Sequence, residues 1–360
     1  MLKKLNLKFR VNVKNRLTTR IYLSVRSLIK TFSLISLMSM FSFAYATSLF
    51  NENLPNENDY RNWVKFLASD EMKGRKNGSD EIEKASIWIA KQFELAGLKP
   101  LINESSFFQE YPALDKKPYR NVIGFLPGSN PIKAQEYIVL SAHYDHIGQK
   151  WGVVFNGADD NASGVSAMIG MAHHLRQLKP ERSILFIAWS GEELGFLGSR
   201  HYVRNPVLPL SQMILNLNFE MVGHTQGLGK NQFWMTGAEL SSVFNDIQSL
   251  ALKKKWQATV DPYSKLNLFW RSDNSSFAAI SVDNEKRITY GVPAHTISTW
   301  GREGHYHMPE DDFQTLDYEN LNNFVKTVSF IVNGLSAKKN VPFWQSSFEG
   351  YKFKSLENFN

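Results

Sequence analysis

The sequence predicts an α/β fold: a single globular domain on a central, mainly parallel mixed sheet flanked by helices. Three observations lead there. Short, near-continuous apolar runs recur at residues 137–141, 183–189, 213–219 and 292–297, as in strands buried on both faces. Helical patterns at 162–178 and 194–203 separate the first three runs, and alternation of strand with helix favours a parallel sheet. With no internal repeat, low-complexity tract or linker rich in Pro, Gly or Ser, one compact domain is the simplest account.

In chain order, the first element is a leader. Residues 1–46 hold nine Lys/Arg and no acidic residue, then an apolar run from Phe32 to Tyr45 that ends in Ala44-Tyr45-Ala46. This is the pattern of a secretory signal with a long basic front, with a retained membrane anchor as the alternative, so the expected product is an exported protein, periplasmic or secreted. The whole chain carries +7, with 41 Lys/Arg against 34 Asp/Glu. Removing the leader's nine leaves 32 against 34, or −2, so the basic balance gives no reason to expect a nucleic-acid partner. A composition of 43% hydrophobic residues, including 25 Phe and nine Trp, excludes a disordered chain. The absence of Cys excludes disulfides, a lipoprotein anchor and a thiol nucleophile. No later stretch is long and apolar enough to span a membrane.

The expected folded domain covers 47–336. Its first clear helix is at 79–97, where Ser79 is placed to cap, Ile82, Ala85, Ile89, Phe93 and Ala96 form one face, and Gly97 and Pro100 end it. The four apolar runs follow. Residues 337–360 form an extension whose Phe343, Trp344, Phe348, Tyr351 and Phe353 are expected to pack onto the domain.

Chemistry gathers where these strands end. The first runs into SAHYDH (141–146), the second into Ser190-Gly191-Glu192-Glu193, the third into Asn218-Phe219-Glu220, and the fourth leads to His305-Tyr306-His307. Another acidic element, GADDNASG (157–164), precedes a helix. In an open α/β sheet, ligands bind in the crevice beyond the carboxyl ends of the strands. Imidazoles and carboxylates are what Zn²⁺ accepts when thiolates are absent. A metal pair needs a bridging carboxylate and two terminal ligands on each side, about five such side chains in all.

SAHYDH, NGADDNASG, WSGEELGFLGS and HYHMPEDD, in that order and spacing, resemble the co-catalytic dizinc aminopeptidases of clan MH, the leucyl-aminopeptidase-like secreted and vacuolar enzymes. The likeness also takes in LASDEMKGRKNGSDEIEKASIWIAKQFELAGLKP, RNVIGFLPG, RSDNSSFA and YGVPAHTIS, from about Trp63 to about Leu335. It implies the zinc-aminopeptidase fold and two Zn²⁺ per chain, with His143 and Glu220 on one, Glu193 and His307 on the other, and Asp160 as the bridge. Glu192 becomes the general base of a metal-activated-water hydrolysis of peptides with a free N-terminus. Asp145 is placed to orient the His143 ring if the strand continues, and Asp311 to do the same for His307. Asp273 and Arg271 complete the outer or substrate-facing set.

Blander roles compete. Asp159, Glu192 and Glu193 are also helix-start residues, and Asp159 is read mainly as a cap. His173, His174 and His201 read as surface or packing residues. His305 competes with His307, but the family ligand stands two residues before Pro309. His146, His224 and His295 either line the cleft or serve structure. The chain departs from the family at Glu220, where Asp is common, and in AAISVDNEKRITY, which is longer than the usual turn. The alternatives are a carboxypeptidase or dipeptidase on the same site, with Arg271 or Arg302 binding the substrate carboxylate, a single-zinc glutaminyl cyclase, whose relatives lack the first-strand histidine, and a non-catalytic receptor-like domain.

Overall fold

The computed structural model describes residues 54–349, except 104, 113–117, 281, 285–286, 290 and 303–304. The leader expected over 1–46 lies outside the described residues, as do Tyr351 and Phe353. Helix α1 (Glu57–Leu67) is held by a capping box between Asn56 and Asp59. Ser79 Oγ accepts from Ile82 N at the start of α2 (Asp80–Leu95). Strands β1 (Lys99–Pro100), β2 (Phe108–Tyr111), β3 (Tyr119–Leu126) and β4 (Tyr137–His143) follow, then the short pair β5 (Gln149–Lys150) and β6 (Val153–Val154). Next come α3 (Gly164–Leu178), β7 (Ser183–Trp189), α4 (Leu197–Arg204), β8 (Met213–Phe219), β9 (Gln232–Met235), α5 (Phe244–Lys253) and β10 (Gln257–Val260). The last elements are α6 (Asn274–Ala279), the pair β11 (Val282–Asn284) and β12 (Arg287–Thr289), β13 (Ala294–Ser298), α7 (Tyr318–Ala337) and α8 (Ser346–Glu349).

The main sheet runs β1-β3-β7-β4-β8-β13-β9-β10, with β2 paired to β3. Its centre, β7-β4-β8-β13, is parallel, and antiparallel pairs flank it at β3–β7 and β13–β9. Both faces are covered, which is why the strands read as unbroken apolar runs. Ile138, Leu140, Ala142, Ile184, Phe186 and Ala188 enter the larger core with α1, α2, α3 and α7, while Val139, Leu185, Ile187 and Trp189 enter the opposite core with Tyr202 and Phe277. Helix α4 starts three residues later than its sequence pattern, because Glu192–Phe196 form a turn.

In the C-terminal segment, Phe348 is fully buried and stacks on Trp344, whose Nε1 donates to Gly291 O, whereas Phe343 is exposed. Among the described residues, no helix is long and apolar enough to cross a membrane.

Candidate active site

The parallel strands deliver their following residues to one crevice. His143 is the last residue of β4, Glu192 and Glu193 follow β7, Glu220 follows β8, and His307 lies in the loop after β13. Asp160 sits in the irregular turn of residues 158–163 ahead of α3, and its peptide bond to Asn161 is cis.

These residues converge. Asp160 Oδ1 lies 3.2 Å from His143 Nε2, and Asp160 Oδ2 lies 3.2 Å from His307 Nε2. His307 Nε2 is 3.1 Å from Glu193 Oε1, and His143 Nε2 is 3.7 Å from Glu220 Oε1. The extra methylene of Glu220 thus brings its carboxylate to the cluster, where Ser272 Oγ donates to Oε1 and Asn218 Nδ2 donates to that hydroxyl. His146, which the sequence left undecided, is fully buried here, with Nδ1 3.0 Å from Glu193 Oε1. His305 is not in the cluster and stacks on His224.

Two devices hold the loops in place. Asn161 Nδ2 donates to Phe219 O, while its Oδ1 accepts from Gly164 N and Met221 N, tying the Asp160 turn to the end of β8. Arg75, fully buried, donates to Leu67 O, Tyr144 O, Asn156 O and Gly157 O. It projects from a turn in which Lys73, Gly74 and Arg75 are all left-handed, with φ of 43°, 66° and 44°. A Cβ on Gly74 would fall against Phe155 O and Gly148 O, so the turn requires glycine. Sequence reasoning missed Arg75, since one arginine in a polar loop carries no signal that four distant carbonyls meet it.

Two expected partnerships are different in the structure. Asp145 does not orient the His143 ring through its carboxylate, because β4 ends at His143 and the strand alternation is lost. His143 Nδ1 meets the Asp145 main-chain oxygen at 3.1 Å, with Oδ1 at 3.8 Å. The carboxylate instead accepts from Glu192 N, Glu193 N and Asn77 Nδ2, and so fixes the Glu192-Glu193 turn. Asp311 does not support His307 either. It accepts from Asp159 N at 2.7 Å and Asp160 N at 3.0 Å, because the chain turns toward the Asp160 loop. Asp159, read as a helix cap, accepts from Gly223 N. Asp273 is buried and accepts from Ser199 Oγ. Arg271 is exposed and lines a neighbouring cavity.

Charge is unevenly distributed over the cluster. Burial raises Glu192 well above the usual carboxylate range, and Glu220, Asp273 and Glu193 add to it against the opposing His143. Burial likewise lifts Glu220 to about 7 and Asp273 to about 8. Asp160 and Glu193 go the other way: burial opposes their ionisation, but the imidazoles of His143 and His307 hold Asp160 well below its ordinary value, and those of His146 and His307 lower Glu193. Beneath them, burial brings Arg75 down to about 10, and Asp311, Asp160, Asp145 and Glu193 limit the drop, so the guanidinium stays charged at neutral pH.

A cavity of about 290 Å³ adjoins Glu220, walled by Met221, Trp234, Leu266, Leu268, Trp300 and Tyr306, with Arg271 and Arg302 also lining it. The donor set itself, imidazoles and carboxylates without thiolate, is chemically suited to zinc. One ligand atom from each of His146, Asp160, Glu193 and His307 lies within 4.8 Å of the other three.

Comparison with known proteins bears on the fold and the family. The chain is 29% identical over 238 residues to Aminopeptidase YwaD of Bacillus subtilis, covering 63% of this chain and 48% of that relative, so it spans about half of the relative's length. In structure it is similar to BSAP, a zinc aminopeptidase from Bacillus subtilis, with a TM-score of 0.59 at 18% identity over 78% of this chain and 96% of that one. A glutaminyl cyclase of Porphyromonas gingivalis gives a TM-score of 0.57 at 20% identity over 78% of this chain and 98% of that one. At these identities, the two solved structures speak for the fold alone. The model of Peptidase family M28 matches residues 121–332, well over half of the chain, and this protein belongs to that family.

Proposed function

We propose that this chain is an exported dizinc aminopeptidase that hydrolyses the N-terminal peptide bond of peptides. One observation carries the reading: the two oxygens of Asp160 face different imidazoles, His143 and His307, each at 3.2 Å. A carboxylate shared between two donor sets is what a bridging ligand requires. His143 and Glu220 would complete one set, and Glu193 and His307 the other. Bound zinc supplies Lewis acidity toward the scissile carbonyl and makes the attacking water more acidic. Glu192 takes the proton of that water and returns it to the leaving amine, a role suited to a carboxyl whose affinity for protons is raised by its surroundings. Asp145 holds Glu192 in position through the main-chain N–H. The apolar walls of the adjoining cavity suit the side chain of the N-terminal residue.

Dipeptides beginning with Leu or Phe test the assignment. Cleavage of carboxyl-blocked but not amino-blocked dipeptides is expected, and the reverse pattern would establish a carboxypeptidase, for which Arg271 and Arg302 lie at hand. Cyclisation of glutaminyl peptides without hydrolysis would favour the cyclase alternative, against which His143 speaks. Export is tested by sequencing the N-terminus of the cell's own product. A chain beginning near Thr47 agrees with it, and retention of residues 1–46 on cytoplasmic protein rejects it.

A further inference from the structure

We propose that His146 is a fourth protein ligand of the metal position formed by Asp160, Glu193 and His307; the proposal rests on the dizinc reading. The imidazole is 0% exposed, and neither ring nitrogen has a hydrogen-bond partner. A buried imidazole that serves packing alone normally satisfies both nitrogens, as His295 does with Ser241 Oγ at 2.7 Å and Thr236 O at 2.8 Å. Instead, His146 Nδ1 points at the cluster, 3.0 Å from Glu193 Oε1 and 3.8 Å from Asp160 Oδ2, without hydrogen-bonding geometry to either.

Four of the six ligand-atom separations are close to those of a tetrahedral site, and all six are within 4.8 Å. Four N or O atoms bonded to zinc at about 2.0–2.1 Å stand about 3.3 Å apart, and the separations here are 3.0, 3.1, 3.2 and 3.8 Å. Ring placement depends on Gly157, which is left-handed at φ 59°, and any Cβ there would meet the Cγ and Cδ2 of His146. Arg75 fixes the same junction by accepting from His146 N through its carbonyl and donating to Gly157 O.

The two metal positions are then unequal. Four protein ligands close the one beside Glu193, in the manner of structural zinc sites, while His143, Asp160 and Glu220 leave the other with three, as in catalytic sites. The first metal equivalent therefore enters the closed position and leaves it last.

Cobalt(II) titration of the full chain tests this, followed by X-ray absorption at one equivalent of zinc. In the wild-type chain, the first equivalent should give the intense visible band of four-coordinate cobalt, and the first zinc should carry two imidazoles. His146→Phe keeps the ring's bulk without its nitrogens. That variant should lose first-equivalent affinity by more than ~100-fold, beyond the 10–100-fold typical of outer-shell changes, and should retain one imidazole on the metal. His146→Gly, tested with added imidazole, should recover the band, and it carries the test if the Phe variant does not fold. Wild-type affinity and two imidazoles in a folded Phe variant, or no recovery in a folded Gly variant, would overturn the assignment. A wild-type chain that takes up no metal would remove the dizinc reading and this proposal with it.

Discussion

Replacing Arg75 with Met removes a charge and four donors from the floor of the site while keeping much of the side chain's length. Leu67 O, Tyr144 O, Asn156 O and Gly157 O then lose their partner in a fully buried place. Four carbonyls left unpaired at about 1 kcal/mol each, the low end for a buried group, cost about 4 kcal/mol, and removing one partner from a buried charged network costs a similar amount, about 3–5 kcal/mol. With an unfolding entropy of about 2.1 cal/mol/K per residue over roughly 300 residues, 4 kcal/mol corresponds to a fall of about 6 °C in Tm. Calorimetry on the full chain measures it. The same variant should bind metal roughly 10–100-fold more weakly, because Arg75 acts as an outer-shell support for the loops carrying Asp145 and Asp160. Arg75→Lys keeps the charge but cannot span four carbonyls, so it should fall between the two. A Tm within about 1 °C of wild type and unchanged metal affinity would refute the reasoning.

Other expectations concern the base and a buried histidine. Glu192→Gln preserves shape and removes the base, so kcat should drop by roughly 10²–10⁴ with metal content unchanged, and near-normal turnover would show that Glu192 is not the base. His295 is pushed down to about 4 from 6.5 by burial, against the hydrogen bond it gives Thr236. Between those values the unfolded chain binds more protons than the folded one, so stability falls as pH drops from 6.5 to 4, by up to about 3 kcal/mol at 1.36 kcal/mol per unit. Tm measured against pH should therefore decline less steeply in His295→Gln than in wild type across that window. Parallel curves would sink this account.

What the sequence conveys about the site follows from how the sheet is covered. Strands buried on both faces read as continuous apolar runs, so their carboxyl ends, and with them His143, Glu192, Glu193 and Glu220, can be placed by inspection. The strand-helix alternation supplies the parallel centre in the same way. The outer contacts are not readable, because they depend on where the backbone turns. Orientation of the ring by the Asp145 carboxylate requires β4 to continue, but the strand stops at His143 and the carboxylate faces the Glu192-Glu193 turn. Asp311 likewise meets the main chain at Asp159 and Asp160 rather than the histidine four residues before it. Arg75 reaches carbonyls up to 82 residues away, a closure that no local pattern encodes. His146 was visible only as a second histidine in HYDH, and its orientation is set by a bare Gly157 eleven residues later.

The central claim, a pair of zinc sites bridged by Asp160 that drives N-terminal hydrolysis, is tested most directly by metal stoichiometry. The purified chain should be assayed for zinc and for hydrolysis of an aminoacyl-anilide panel, before and after chelation. The account predicts about two zinc per chain, release of the N-terminal residue, loss of that release on chelation, and its return with added zinc. One zinc or none, or release that persists without metal, would contradict it.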